Sequence, residues 1–491
     1  MIRGAPFRLF TALAVIAGLA ACDSGRDNIV AVVAIGDAAS PFQTGPRLPH
    51  PAQLLRAATV EGLVAFDAQG RVIPALADRW IVTDGGLSFI FRLRDGTWPD
   101  GTPIAADAAG VALRQTIAEL RGTALGLDLA AISEVRTMAG RVIELRLTRP
   151  VPDLLQLLAQ PELGLVWRGR GNGPMKLRRS GRLALLTPIA PEDRGLPSEE
   201  YWSERARKIE LRAAPAKTAI DRFGKGDADV VFGGRLEDLP RVDAAGISRG
   251  ALRMDPVTGL FGLAVLHGSG FLSAPENREA AALAIDRDAI AQLFALDGWI
   301  ITTRLVAPGL EGDTGTVTER WSNETIGQRR TRAAARVAAW RAAKGAAPVL
   351  RVSMPPGPGA DLLAARLQQD FTAIGIEFKR VNLASDADLR LVDAVARYPR
   401  PDWFLNQLSC STARALCDST ADRLTKKAAA AATPAERLEL LADAEARLTR
   451  TNSFIPLGAP VRWSLIAGDV TGFAPNRWNL HPLLPLAMRP R

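Results

Sequence analysis

The chain has 491 residues, 47% of them hydrophobic, and 61 Lys and Arg stand against 52 Asp and Glu for a formal net charge of +9. That length suits two or three domains of about 150 residues each. The arginines are spread among alanine, glycine and proline rather than gathered in one patch. With no recognisable DNA- or RNA-binding motif, the charge argues against a nucleic-acid partner.

The first residues read as an export signal. Arg3 and Arg8 form a basic region ahead of the apolar run TALAVIAGLAA, which is too short for an ordinary transmembrane helix. The run ends in LAAC, residues 19–22, which resembles the lipobox of bacterial lipoproteins. The expectation is a lipoprotein signal over 1–21, lipidation of Cys22 and a tether over 22–29. An ordinary secretory signal with an incidental cysteine is the alternative. Asp23 occupies the position that influences retention at the inner membrane in enterobacterial lipoproteins. No later stretch approaches 18 uninterrupted apolar residues, so the body is expected to be soluble and tethered in the cell envelope, at the inner membrane rather than the outer.

NIVAVVAIG is a buried-type strand, and AQLLRAATVEGLVAFD begins as a helix. Strands joined by DGG and DG turns follow up to residue 105, and a helix starts after Asp107. VRTMAGRVIELRLTRP and LRRSGRLALLTPI each alternate as a hairpin does. ARKIELRAAP is a strand, and TAIDRFGKGDADVVFG a helix leading into a strand. ENREAAALAIDRDAIAQLFAL and TIGQRRTRAAARVAAWRAAKG are helices. APVLRVSMPP, DLLAARLQQDFTAIG and IEFKRVNL give strand, helix and strand, the order of a parallel βαβ unit. PAERLELLADAEARLTRT is an amphipathic helix, and FIPLGAPVRWSLIAGDVTGF returns to strands. The two prolines of ARYPRPDWFLN hold that stretch extended in this reading. The class is α/β with a hairpin-rich insert.

Motifs for catalysis are missing. GRGNGP lacks dinucleotide spacing, HGSGF lacks the spacing of a nucleophile elbow, and neither Walker A nor HExxH occurs. No metal site, cofactor or catalytic residue is expected. Cys410 and Cys417, close in sequence in an exported chain, are expected to be bonded.

Several stretches, in order, resemble family 5 extracytoplasmic solute-binding proteins, the oligopeptide and dipeptide receptors of ABC importers. They are EGLVAFDAQGRVIPALADRW, LSFIFRLRDGTWPDGTPIAADA, GNGPMKL, YWSERARKIELRAAP, FGKGDADVVFG, NREAAALAIDRDAI, FIPLGAPVRW and VTGFAPN. The resemblance implies a two-lobed periplasmic-binding-protein fold of class II type with an extra hairpin-rich domain. A ligand is enclosed between the lobes and pairs with receptor strands. Lobe 1 is expected over 30–56, 195–262 and 440–491, the insert over 57–194, and lobe 2 over 263–439. The cysteine pair looks like a disulfide of some dipeptide-binding members.

ARYPRPDWFLN aligns with the family's ligand-pairing stretch. In peptide-binding members an aspartate that holds the peptide's ammonium group stands where this chain has Arg397. Two readings stay open. Either Arg397 faces the cleft and binds a ligand carboxylate or phosphate, or it is structural, pairing with an internal acid such as Asp393 or leaning out of the cleft with its stem packed. The backbones of Asp393 and Val395 are candidate ligand partners. Trp403 is a candidate stacking residue or loop core, and His267 stands where the family usually has asparagine. Near HPAQ, where the other ligand strand should fall, no residue matches.

The expected function is delivery of a peptide or anionic peptide-like small molecule to an ABC permease of the inner membrane, by a monomer. The alternative is an envelope sensor or interaction lipoprotein of the same fold without a permease. A hydrolase is the third reading.

Overall fold

A computed structural model describes residues 28–412 and 415–490. The signal and Cys22 lie outside them. Among the described residues, one sheet has seven strands in the order Met175–Ser180, Leu183–Pro188, Lys208–Ala214, Ile29–Ile35, Val230–Arg235, Arg462–Ile466 and Leu252–Met254. Ile29–Ile35 pairs in parallel with Lys208–Ala214 and Val230–Arg235, which the helix Ala216–Gly224 connects. Alternation sends Val30, Val32 and Ala34 to one buried face and Val33 to the other. A strand covered on both faces reads as a continuous apolar run, as IVAVVAI does.

The second sheet has five strands: Glu377–Val381, Val349–Ser353, Leu389–Val395, Gly259–Val265 and Phe454–Gly458. Val349–Ser353 and Glu377–Val381 are parallel, joined by the helix Pro358–Thr372. The chain crosses between the two large sheets at residues 255–258 and again at 459–461. These paired crossings leave a cleft between two lobes. A four-stranded antiparallel sheet, Ala77–Thr83, Ser88–Leu93, Val142–Leu147 and Ile132–Met138, forms the insert.

Three expectations need correction. The hairpin Met175–Pro188 belongs to the seven-stranded sheet rather than the insert, because Leu183–Pro188 pairs antiparallel with Lys208–Ala214. Gly259–Val265 and Phe454–Gly458 belong to the five-stranded sheet, so both crossings are displaced from the expected boundaries at 263 and 440. ENREAAALAIDRDAIAQLFAL is two helices, Pro275–Ala284 and Arg287–Phe294. Asp286 caps the second by accepting from Ala289 N, and buried Arg287 donates to the Pro456 carbonyl at 2.8 Å.

ARYPRPDWFLN is also not extended throughout. Pro401 occupies the first turn of a helix, Pro401–Gln407, where its missing N–H costs nothing and its fixed φ is already helical. The helix turns Trp403, Phe404 and Leu405 into the core.

Candidate functional site

The crossings bring the C-terminal end of the strand Leu389–Val395 opposite the end of Val230–Arg235 and the start of the helix His50–Thr59. Between them is a cavity of about 290 Å³ whose wall includes His50, Arg235, Asp393, Arg397, Arg462 and Asn479. One edge of Leu389–Val395 pairs with Gly259–Val265 along its whole length. The other edge meets Val349–Ser353 only at Leu389 and Arg390. Residues 391–395 therefore present a strand edge with no strand partner among the described residues, and Val395 lines the cavity at its end. An extended ligand could add to such an edge.

Charge in the cavity is arranged in pairs. Arg462, only 4% exposed, sits 2.7 Å from Asp393 and reaches across from the other sheet. Burial works against its charge and Asp393 supports it, with the guanidinium left somewhat below its ordinary pKa. Arg235 approaches the same carboxylate only to 3.9 Å and is 43% exposed. Of the three arginines on the cavity wall, it is the least engaged. Glu237 stands nearby; burial first and the Asp393 charge second raise its pKa.

Arg397 lines the cavity, and its fork is occupied. Its Nη1 donates to Gln160 Oε1 at 2.8 Å and Glu162 Oε2 at 3.1 Å, and its Nη2 to Glu162 Oε1 at 2.9 Å. Burial opposes ionising Glu162, but Arg397 and Gln53 outweigh it, and the carboxyl lies below its ordinary pKa. Arg397 is itself raised, burial again being outweighed by Glu162. Arg397 thus lines the cavity and is paired internally. The partner is corrected from Asp393, which Arg462 engages, to Glu162. The pair also ties the end of the five-stranded sheet's strand Leu389–Val395 to the segment around Glu162. Beside it, buried Tyr398 and Asn406 donate to Asp128 at 2.7 and 2.8 Å. Burial pushes Asp128 up to about 7.

His50 occupies the HPAQ stretch. Neither ring nitrogen has a hydrogen-bond partner of good geometry. Burial, then the positive neighbours, pushes its pKa down to about 3, so the ring is neutral at pH 7. It presents the cavity with a neutral donor and acceptor.

Two expected site residues lie elsewhere. Trp403 is 2% exposed and packs edge-on to Phe404 at 5.0 Å, so it is core and not a stacking platform. His267 is exposed beyond Val265, which pairs with Leu389. The antiparallel register places Gly259, not Val265, beside Val395, so His267 lies off the opposite end of the strand from the cavity. Cys410 and Cys417 are bonded, with Cα atoms 5.0 Å apart. Among the described residues no group of three or more His, Cys, Asp and Glu is placed to hold a metal ion.

Sequence reasoning missed Arg235, Arg462, Glu162, Gln160 and His50. Only the position of HPAQ pointed toward any of them.

With two sheets, two crossings and a cleft in view, the comparisons with known proteins are specific. Residues 71–415 match the middle region of the bacterial extracellular solute-binding proteins, family 5. The chain belongs to this family. A curated relative, described as a probable deoxycholate-binding periplasmic protein of Escherichia coli K12, is 33% identical over 121 residues, 21% of this chain and 23% of that protein. The nickel-binding periplasmic protein of the same organism is 28% identical over 217 residues, 39% of this chain and 40% of that protein. The aligned parts thus span well under half of either relative. Haemophilus influenzae OppA in complex with RPPGFSPFR superimposes with a TM-score of 0.79 at 18% identity, over 94% of this chain and 98% of that one. That likeness establishes the two-lobed fold.

Proposed function

We propose that this family 5 protein is a lipid-anchored receptor of the cell envelope that delivers a small anionic, peptide-like ligand to an ABC permease. Its task is binding and release rather than catalysis. One observation carries the ligand class: the cavity wall holds three arginines, of which Arg235 keeps most of its donors unengaged, against the single carboxylate of Asp393. A ligand carboxylate or phosphate at Arg235, with its backbone along 391–395, would use both features. On the cavity wall itself a free ammonium meets only the carboxylate of Asp393, which Arg462 engages.

Size supports a short ligand. A cavity of about 290 Å³ lies at the small end of the range of small-molecule sites, so a ligand of one or two residues suits it better than a nonapeptide. Family membership leaves the ligand open, since the relatives' own descriptions range from deoxycholate to nickel.

Calorimetry with free and N-acetylated forms of one dipeptide series tests the reading. The acetylated forms should bind at least about tenfold tighter, and Arg235→Ala should remove most of that affinity. Tight binding of the free-amino forms, unchanged in Arg235→Ala, would overturn it. Anchoring has its own test: Cys22→Ser should move the protein from the membrane fraction to the soluble or unprocessed pool.

A further inference from the structure

A second cavity, of about 310 Å³, adjoins the cleft. Its character is different. Leu54 and Ala57 of the helix His50–Thr59, Phe66 and Ile73 of the hairpin beyond it, Leu196 and Leu484 make its walls mainly apolar. Interiors leave few voids much larger than a water molecule. A space of this size, apolar with a few polar groups at its margin, has the dimensions of a small-molecule site. The charged groups at that margin are neutralised: Glu61 pairs with Arg94 at 2.9 Å and also with Arg194.

What makes the second cavity relevant is the partition between the two. Gln53, Gln160 and Leu480 line both. Gln53 donates to Glu162 at 3.1 Å, and Gln160 accepts from Arg397 at 2.8 Å. The wall is therefore one leucine and two glutamines, the glutamines held to the Arg397–Glu162 pair, and the polar and apolar spaces lie on its two sides.

We infer that the apolar cavity is a subsite for the same ligand, which is then an amphipathic carboxylate: its anionic head lies against Arg235 in the cleft and its acyl or aromatic body passes between Gln53, Gln160 and Leu480 into the cavity. This rests on the anionic-ligand reading for the head, while the apolar part stands on the cavity alone. Ala57 is the residue through which to block it, since a large side chain on that helix face fills the space.

The probes are N-acetylglycine, N-octanoylglycine and octylamine, titrated calorimetrically into the protein and into Ala57→Trp. N-octanoylglycine should bind at least about tenfold tighter than N-acetylglycine. Ala57→Trp should reduce that ratio to about threefold or less and leave N-acetylglycine unchanged. If circular dichroism shows Ala57→Trp misfolded, Ala65→Leu, on another wall of the cavity, replaces it. A ratio near one, a ratio untouched by the filling variant, or no binding of any probe overturns the apolar subsite. Octylamine binding as well as N-octanoylglycine, with both sensitive to Ala57→Trp, would sustain the subsite and sink the anionic head.

Discussion

The Arg397–Glu162 pair offers the sharpest quantitative test. The two partners are not equally buried: the Glu162 side chain is 1% exposed and that of Arg397 is 25% exposed. Arg397→Ala leaves a buried carboxylate with Gln53 as its remaining side-chain donor. Breaking a fully buried pair costs about 3–5 kcal/mol. Water reaching the vacated, partly open side of Arg397 lowers this to about 2–4 kcal/mol. Glu162→Gln leaves a cation that keeps some hydration and can still donate to an amide oxygen, so about 1–2 kcal/mol is expected. The order of the two losses follows from exposure, not from charge.

A double-mutant cycle with Arg397→Ala and Glu162→Ala should show coupling of about 1–3 kcal/mol. Because folding depresses the Glu162 pKa, its contribution is complete above the unfolded value of about 4.3 and is lost as pH falls through the lower folded value. The coupling should therefore be full at pH 7 and shrink below about pH 4. Urea unfolding followed by tryptophan fluorescence at about pH 7 and about pH 3.5 reads all of these. If both single variants lie within about 0.5 kcal/mol of the unmutated protein and their effects add, the pair is no more than a surface contact.

Three further outcomes are expected. Burial raises Asp128, so the folded state holds a proton that the unfolded chain releases near pH 4, and stability falls as pH rises from there to about 7. Asp128→Asn should move the urea midpoint up at about pH 8 relative to the unmutated protein, and an equal shift at about pH 5 would refute the cause given. Gly234→Ala places a methyl group 2.0 Å from Trp463 Cδ2, so the strand bearing Arg235 must shift; a loss of about 1–3 kcal/mol in urea unfolding and weaker ligand binding are expected. Reduction of Cys410–Cys417 releases a short loop and should cost about 2 kcal/mol without unfolding the protein, as a thermal scan with and without reductant would show.

Much of the fold was legible because its signals are local. NIVAVVAIG is a strand covered on both faces, the DGG turn closes Ala77–Thr83 onto Ser88–Leu93, and Thr325 with Gln328 forms a capping box at the start of Ile326–Lys344. Sheet membership was less legible. Nothing within Met175–Pro188 says that its second strand will pair with Lys208–Ala214 rather than with the insert, because edge selection depends on distant partners. Trp403 shows a local ambiguity: a proline that breaks a helix from within starts one from its first turn, and the tripeptide Pro-Arg-Pro does not say which.

The site itself was the least legible part, for a physical reason. Arg397 stood out in the sequence because it inverted the charge expected at one position, but what a charge does is decided by its partner. That partner, Glu162, lies 235 residues away, and the Arg462–Asp393 pair spans 69. Such pairs carry no periodicity and no spacing rule. The inverted charge carries one physical consequence. A binding protein that replaces an acidic anchor with arginine must also neutralise that arginine when the cleft is unliganded, or bear the cost of a desolvated cation. Glu162 and Gln160 engage Arg397 here, and on the function proposed above the less engaged Arg235 would meet the anion. A change of ligand charge at this cleft therefore involves at least two residues from different elements. Changing Arg397 to aspartate alone would set the introduced carboxylate against that of Glu162. Arg397→Asp should accordingly destabilise the protein and gain no free-amino peptide binding, whereas Arg397→Asp combined with Glu162→Gln should gain it. Calorimetry with one free-amino dipeptide on both variants separates the two outcomes, and binding by the single variant would show that Glu162 is not the residue that neutralises this position.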